Sequence, residues 1–240
     1  MRFKVNIRKV SPDSLHYDYQ YGLASVLYKR LIIANETFAN EMHNHRGFKL
    51  YTFSNLNIED RIPDNKGLNF SKAHFFISSP NIEFIRNFAK GILSSPYFNL
   101  RNQDRKVEFM VENIEVMPKI NFSNHCAFRT LSPVYLKTQE KVGDKFIEED
   151  LYPMNSKFYE NLKGNLLERY EDFSGQKIDS TFFEAKVTGF KKKRVTINNS
   201  YRRCSLMDIV LKADQKLIEF AYDAGLGEKT AMGFGCIDVV

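Results

Sequence analysis

Arg2–Arg8 reads RFKVNIR. Phe3, Val5 and Ile7 fall on one side of this stretch and Arg2, Lys4, Asn6 and Arg8 on the other, the alternation of a half-buried strand. Immediately downstream the period changes. From about Tyr19 to Ala34, Leu23, Leu27, Leu31 and Ala34 recur at helical spacing, so a helix is expected to pack on the sheet that the first strand enters. A short second helix is expected over Glu36–Met42. Strands are expected over Leu50–Ile58 and Asn69–Ser78, parted by the turn residues Pro63, Asp64, Asn65 and Gly67. Pro80 and Asn81 then open a helix to about Leu93, with Ile82, Ile85, Phe88, Ala89 and Ile92 as its apolar stripe, and a strand over Lys106–Met117 follows. The order β-α-β-β-α-β is the ferredoxin-like, or RNA-recognition-like, arrangement, in which helices cover one face of an antiparallel sheet.

The second half repeats that order without obvious residue identity to the first. Strands are expected over Ala127–Lys137 and Phe182–Phe190, a strand pair around Arg194–Leu211, and a last strand over Gly235–Val240. Helices are expected over Ser156–Tyr170 and Asp214–Asp223. The fold expected is therefore α+β, a tandem of two ferredoxin-like domains over 1–120 and 125–240. A chain of 240 residues, 43% hydrophobic, fills two such cores comfortably.

Composition narrows the function classes. Cys126, Cys204 and Cys236 are odd in number and share no short spacing, which argues against a disulfide framework or a thiolate metal site and for a reducing cytoplasm. No apolar stretch approaches the length of a membrane span or a leader, so neither membrane insertion nor secretion is expected. The net charge is +6, and it is unevenly placed. Lys186, Lys191, Lys192, Lys193, Arg194, Arg202 and Arg203 lie within 18 residues that hold no Asp or Glu. That segment carries +7 by itself, which suits either a polyanionic partner or a solvated hairpin with protected edges.

The sharpest local feature is GLGEKTAMGFG, Gly225–Gly235. It places glycines at 225, 227, 233 and 235, with Lys229 between them. Glycine tolerates positive φ and lets a main chain approach a ligand closely, so such a loop can offer N–H groups to phosphates. The nucleotide-binding loops fit badly: Thr230 occupies the third glycine position of G-x-G-x-x-G, and Glu228 stands where G-x-x-x-x-G-K-[ST] needs glycine. Gly225 as a helix C-terminal cap is the simpler structural alternative.

Gly225–Gly235 resembles the C-terminal signature of the CRISPR-associated repeat-processing endoribonucleases, the Cas-six-type members of the RAMP superfamily. Two more segments agree with it. TLSPVYLK, Thr130–Lys137, is similar to the opening strand of that family's second domain, and MHNHRGFKLYTFSNL, Met42–Leu56, is similar to a segment of its first. The resemblance implies tandem ferredoxin-like domains and cleavage of CRISPR repeat RNA without metal or other cofactor. A ribose 2′-OH would attack the adjacent phosphate, leaving a 2′,3′-cyclic phosphate and a 5′-OH. With Gly47–Leu50 as anchor, the family's histidine, lysine and tyrosine fall on His43, Lys49 and Tyr28. His43 would be general acid or base, Tyr28 its counterpart or a positioner of the 2′-OH, and Lys49 the clamp on the phosphorane. His45 is the rival to His43, since H-N-H sets the two imidazoles two positions apart.

The RNA-binding set expected alongside is Lys191, Lys192, Lys193, Arg194, Tyr201, Arg202 and Arg203 of the basic segment, with Gly225, Gly227, Lys229, Gly233 and Gly235 of the loop. Tyr201 is available for base stacking and the cations for phosphates. Partners expected are CRISPR repeat RNA and a CRISPR effector complex, with the chain a monomer or homodimer. His74, among strand residues, reads as structural, and the carboxylates Glu59–Asp60 and Glu148–Asp150 are placed in loops, where nothing makes them converge on metal ions. Two alternatives stay open: a non-catalytic RNA-binding RAMP subunit, and an unrelated tandem RNA-recognition protein, whose aromatic sheet motif is not evident.

Overall fold

The computed structural model describes every residue except 103, 104, 144, 179, 180, 198 and 199. The chain divides into two compact units, Met1–Gly47 with Asn55–Lys119, and Phe48–Ser54 with Ile120–Val240. Seven residues early in the chain therefore pack with the later unit. Among the described residues no helix is long and apolar enough to cross a membrane.

The first unit contains β1 (Arg2–Lys9), α1 (Gln20–Ala34) and α2 (Glu36–Asn44). After β2 (Thr52–Phe53), which lies in the segment that packs with the second unit, come β3 (Asn57–Ile58), β4 (Lys72–Ser78), α3 (Ile82–Ser94), β5 (Tyr97–Asn102) and β6 (Arg105–Val116). Its antiparallel sheet runs β4-β1-β6-β5, with β3 paired to β4. The alternation of β1 holds from Phe3 onward, although Arg2 is buried as well: Phe3, Val5 and Ile7 are buried, as are Ala73, Phe75 and Ile77 of β4 and Leu23, Leu27 and Leu31 of α1. Two expectations need correction. The strand over Leu50–Ile58 is two short pieces, β2 and β3, parted where residues 54–56 leave the extended ladder. The strand β5 was not expected at all; only Phe98 and Leu100 alternate as buried residues in YFNLRN, too short a pattern to mark a strand by itself, and it is held by a hairpin with β6.

The second unit contains β7 (His125–Thr130), β8 (Lys137–Val142), β9 (Lys145–Asp150), α4 (Ser156–Ser174), β10 (Glu184–Ile197), β11 (Ser200–Lys212), α5 (Gln215–Ala224) and β12 (Ile237–Val239). Sheet order β10-β11-β7-β12 is that of the ferredoxin-like fold, and β8 and β9 form a separate hairpin inserted after its first strand. Phe128, Phe158, Leu162, Leu166, Ile209, Leu211, Leu217, Ile218 and Ile237 share one buried cluster. The two units are thus tandem ferredoxin-like folds.

Here too the expected boundaries shift. The strand over Ala127–Lys137 ends at Thr130, because the N–H groups of Leu131 and Ser132 both turn to the Cys236 carbonyl, at 2.7 and 3.2 Å. Glu148, Glu149 and Asp150 sit in β9 and not in a loop: Lys137 on the facing strand pairs with Glu148, and Gln139 donates to it at 2.7 Å. The strand over Phe182–Phe190 is continuous with the start of the expected pair as one β10, bulged between Val187 and Gly189. Residues 198 and 199 of that expected pair lie outside the described residues.

Candidate active site

Asn35 stands at the joint between α1 and α2. Its backbone N–H closes α1 on the Leu31 carbonyl at 2.8 Å, and its side chain caps α2 by accepting from the Phe38 N–H at 3.1 Å. The chain therefore folds back at one residue. Tyr28, seven positions before Asn35, and His43, eight after, each lie about two turns from the joint. Their rings meet at 5.3 Å between centroids, inclined at 42°. Tyr28 is half-buried and His43 is exposed. His45 sits just beyond, as the residue that ends α2, and its imidazole lies over Gly47, where an added Cβ would stand 2.3 Å from Nε2. Of the two histidines it is His43 whose ring faces Tyr28.

Lys49 lies in Phe48–Ser54, which packs with the second unit. Its side chain is half-buried, and partial burial pulls its ammonium below the usual lysine range. The same segment lies against the glycine-rich loop. All four glycines have positive φ: 82° at Gly225, 76° at Gly227, 85° at Gly233 and 73° at Gly235. Each is also hemmed in by the protein itself. An added Cβ would stand 2.9 Å from the Thr52 Cβ at Gly225, 2.5 Å from the Tyr135 carbonyl at Gly227, 2.8 Å from the Phe53 ring at Gly233 and 1.9 Å from the Leu226 carbonyl at Gly235. Loop N–H groups are spent internally as well: Glu228 donates to the Tyr135 carbonyl at 2.8 Å, and Gly235 to the Pro133 carbonyl at 2.9 Å. Lys229, in left-handed conformation with φ 56°, is the exposed residue of the loop.

A residue not anticipated from sequence closes this loop. Arg169 of α4 is 2% exposed. Its guanidinium donates to the carbonyls of Ala224 at 2.6 Å, Gly225 at 2.8 Å and Gly227 at 3.1 Å, and to Thr230 Oγ1 at 3.4 Å. The carbonyls at the C-terminus of α5 carry partial negative charge, which suits a buried cation. A signal was present: Phe158, Leu162, Leu166 and Arg169 follow one helical stripe, so this arginine falls among core positions.

The basic segment forms the outer end of the β10–β11 hairpin. Lys191, Lys192, Lys193, Arg194, Tyr201 and Arg203 are exposed. Arg194 and Arg203 are directly opposed across the strands, and the Arg194 guanidinium lies 4.3 Å from the centre of the Tyr201 ring. Arg202 differs from its neighbours: it is half-buried, with its guanidinium 6.0 Å from the Tyr135 ring. His74 is tied to Glu59 at 3.2 Å and Asn57 at 3.1 Å. Among the described residues no group of three or more His, Cys, Asp and Glu side chains is placed to hold a metal ion.

The family described as CRISPR-associated protein Cas6, N-terminal, matches residues 14–115, and CRISPR associated protein Cas6, C-terminal, matches residues 113–239. The chain belongs to the Cas6 family. Among Cas6 relatives it is similar to CRISPR-associated endoribonuclease Cas6 1 of Methanocaldococcus jannaschii, at 40% identity over 99% of this chain and 92% of that protein. It is also similar to the putative CRISPR-associated endoribonuclease-like protein Cas6nc of Pyrococcus horikoshii, at 29% identity over the whole of both. A solved structure described as "An RAMP protein binding different RNA substrates" superposes with a TM-score of 0.89 at 28% identity, over 100% of this chain and 99% of that one.

Proposed function

We propose that this chain is an endoribonuclease that cuts CRISPR repeat RNA by metal-independent transesterification. The observation that carries this reading is the meeting of Tyr28 and His43 across the joint at Asn35, two side chains able to move protons at one point on the surface. In the step proposed, the ribose 2′-oxygen forms a bond to phosphorus and the bond from phosphorus to the 5′-oxygen breaks. One of the pair takes the 2′-OH proton, the other donates to the departing 5′-oxygen, and Lys49 offsets the charge on the phosphorane. The products are a 2′,3′-cyclic phosphate and a 5′-OH. An imidazole nitrogen can either accept or donate a proton, so His43 can serve in either direction.

Binding is assigned to the β10–β11 hairpin and to Lys229. Opposed Arg194 and Arg203 repel each other across the hairpin in the absence of an anion. An RNA phosphate turns that repulsion into a two-pronged contact, and Tyr201 offers a base a stacking face. The relative described as an endoribonuclease supports the catalytic reading, and the RAMP protein described as binding RNA supports the binding one. Repeat RNA incubated with the protein in excess EDTA is the test. Cut RNA with a 2′,3′-cyclic phosphate end is the expected result. Intact RNA that still binds would make the chain a non-catalytic RAMP subunit.

A further inference from the structure

We infer that the glycine-rich loop, fastened by Arg169, is a socket for Phe48–Ser54 whose task is to position Lys49. This rests on the role proposed for Lys49 in cleavage and gives Arg169 and Thr230 the part of positioning residues.

Five hydrogen bonds carry the inference, all within the second unit. Thr230 Oγ1 accepts from Arg169 and donates to the Lys49 carbonyl at 3.3 Å, so one hydroxyl joins the buried guanidinium to the backbone of the candidate clamp. Both bonds are long, but shorter ones brace the same segment. Thr52 Oγ1 donates to the Phe234 carbonyl at 2.8 Å, in a fully buried position. Ser132 Oγ donates to the Phe53 carbonyl at 3.1 Å and accepts from the Cys236 N–H at 3.0 Å. Gly225 and Gly233 leave room for Thr52 and the Phe53 ring, where any Cβ would collide. The segment is thus gripped at Lys49, Thr52 and Phe53 by side chains and carbonyls on the loop or on the strand connection beside it. An electrostatic clamp acts only if its charge is held where the phosphorane forms, and a displacement of about 1 Å can cost ~10²-fold in rate. A glycine-rich loop whose N–H groups are spent on protein carbonyls, and whose Gly225 and Gly227 carbonyls are held by Arg169, is built to hold still.

The experiment compares Thr230→Val with Thr230→Ser in single-turnover cleavage of repeat RNA at saturating protein, with RNA affinity measured separately. Thr230→Val should slow the chemical step by roughly tenfold, leave affinity within about twofold, and be rescued by Thr230→Ser. In a Lys49→Ala background, Thr230→Val should add almost nothing, since there is no ammonium left to position. Equal losses in both backgrounds, or an affinity loss at unchanged rate, overturn the inference and return the loop to a structural or direct RNA-contact role. If Thr230→Val does not fold, Thr52→Val cuts the grip at the other end and is held to the same criteria. A Lys49→Ala rate equal to wild type removes Lys49 from the chemistry, which sinks the clamp assignment and this inference together while leaving the Tyr28–His43 pair standing.

Discussion

At the scale of single residues, Tyr28 and His43 come from the resemblance anchored at Gly47–Leu50, and the structure adds that each lies about two turns from the joint at Asn35. Positions about two turns before and after a helical fold-back come level with each other. The sequence could not separate His43 from His45. The separation comes from where α2 ends: His43 is still in its last turn, whereas His45 has left the helix and turned its ring onto Gly47. His43→Ala should therefore lower cleavage by at least ~10²-fold with RNA affinity nearly unchanged, measured as single-turnover rate against filter-binding affinity. Equal losses in both would show that His43 serves structure and not proton transfer. Arg169 was hidden for the opposite reason. A basic residue on an amphipathic helix usually reaches water, and only the carbonyls converging on this one make its burial tolerable.

At the scale of elements, the glycine-rich loop is where the expectation and the structure differ most in emphasis. From sequence alone, four glycines suggested close approach by a ligand; in the structure each glycine makes way for the protein's own atoms. Glu228 within the loop shows the cost of that tight closure. Its carboxylate accepts from the Lys137 N–H at 3.1 Å, but burial raises its pKa above the ordinary 4.5. A raised carboxyl contributes stability below its unfolded value, and that contribution is lost as pH rises through the folded value. At neutral pH the ionised side chain is thus a liability. Glu228→Gln, which keeps an acceptor oxygen for Lys137, should raise Tm at pH 7 by roughly 1–2 °C, given partial hydration of the site. The gain should vanish well below pH 4.5, as thermal denaturation at two pH values would show; a lower Tm at pH 7 would mean that the charge is favourable there.

At the scale of the molecule, charge is concentrated on one hairpin, and the structure sorts the cations within it. Arg194 and Arg203 face outward while Arg202 turns over Tyr135, so the outward pair should account for the phosphate contacts. Replacing both by Ala should reduce the slope of log affinity against log salt by about 1.4, at ~0.7 per single-strand phosphate contact. Arg202→Ala should change that slope little, and the reverse ranking would place the RNA on the other face of the hairpin. What the sequence by itself determined is the architecture, since alternation in β1, helical stripes in α1, α3 and α4, and the order of elements each follow from local periodicity. The hairpin β8–β9 escaped because its charged residues leave no apolar period to read, and β5 because two alternating apolar residues, Phe98 and Leu100, are too few to mark a strand. Only the tertiary structure decided that Phe48–Ser54 packs with the second unit, that Arg169 is buried, and what the glycines make room for. Those facts depend on contacts between residues as far apart in the chain as Thr52 and Phe234, which no local pattern encodes.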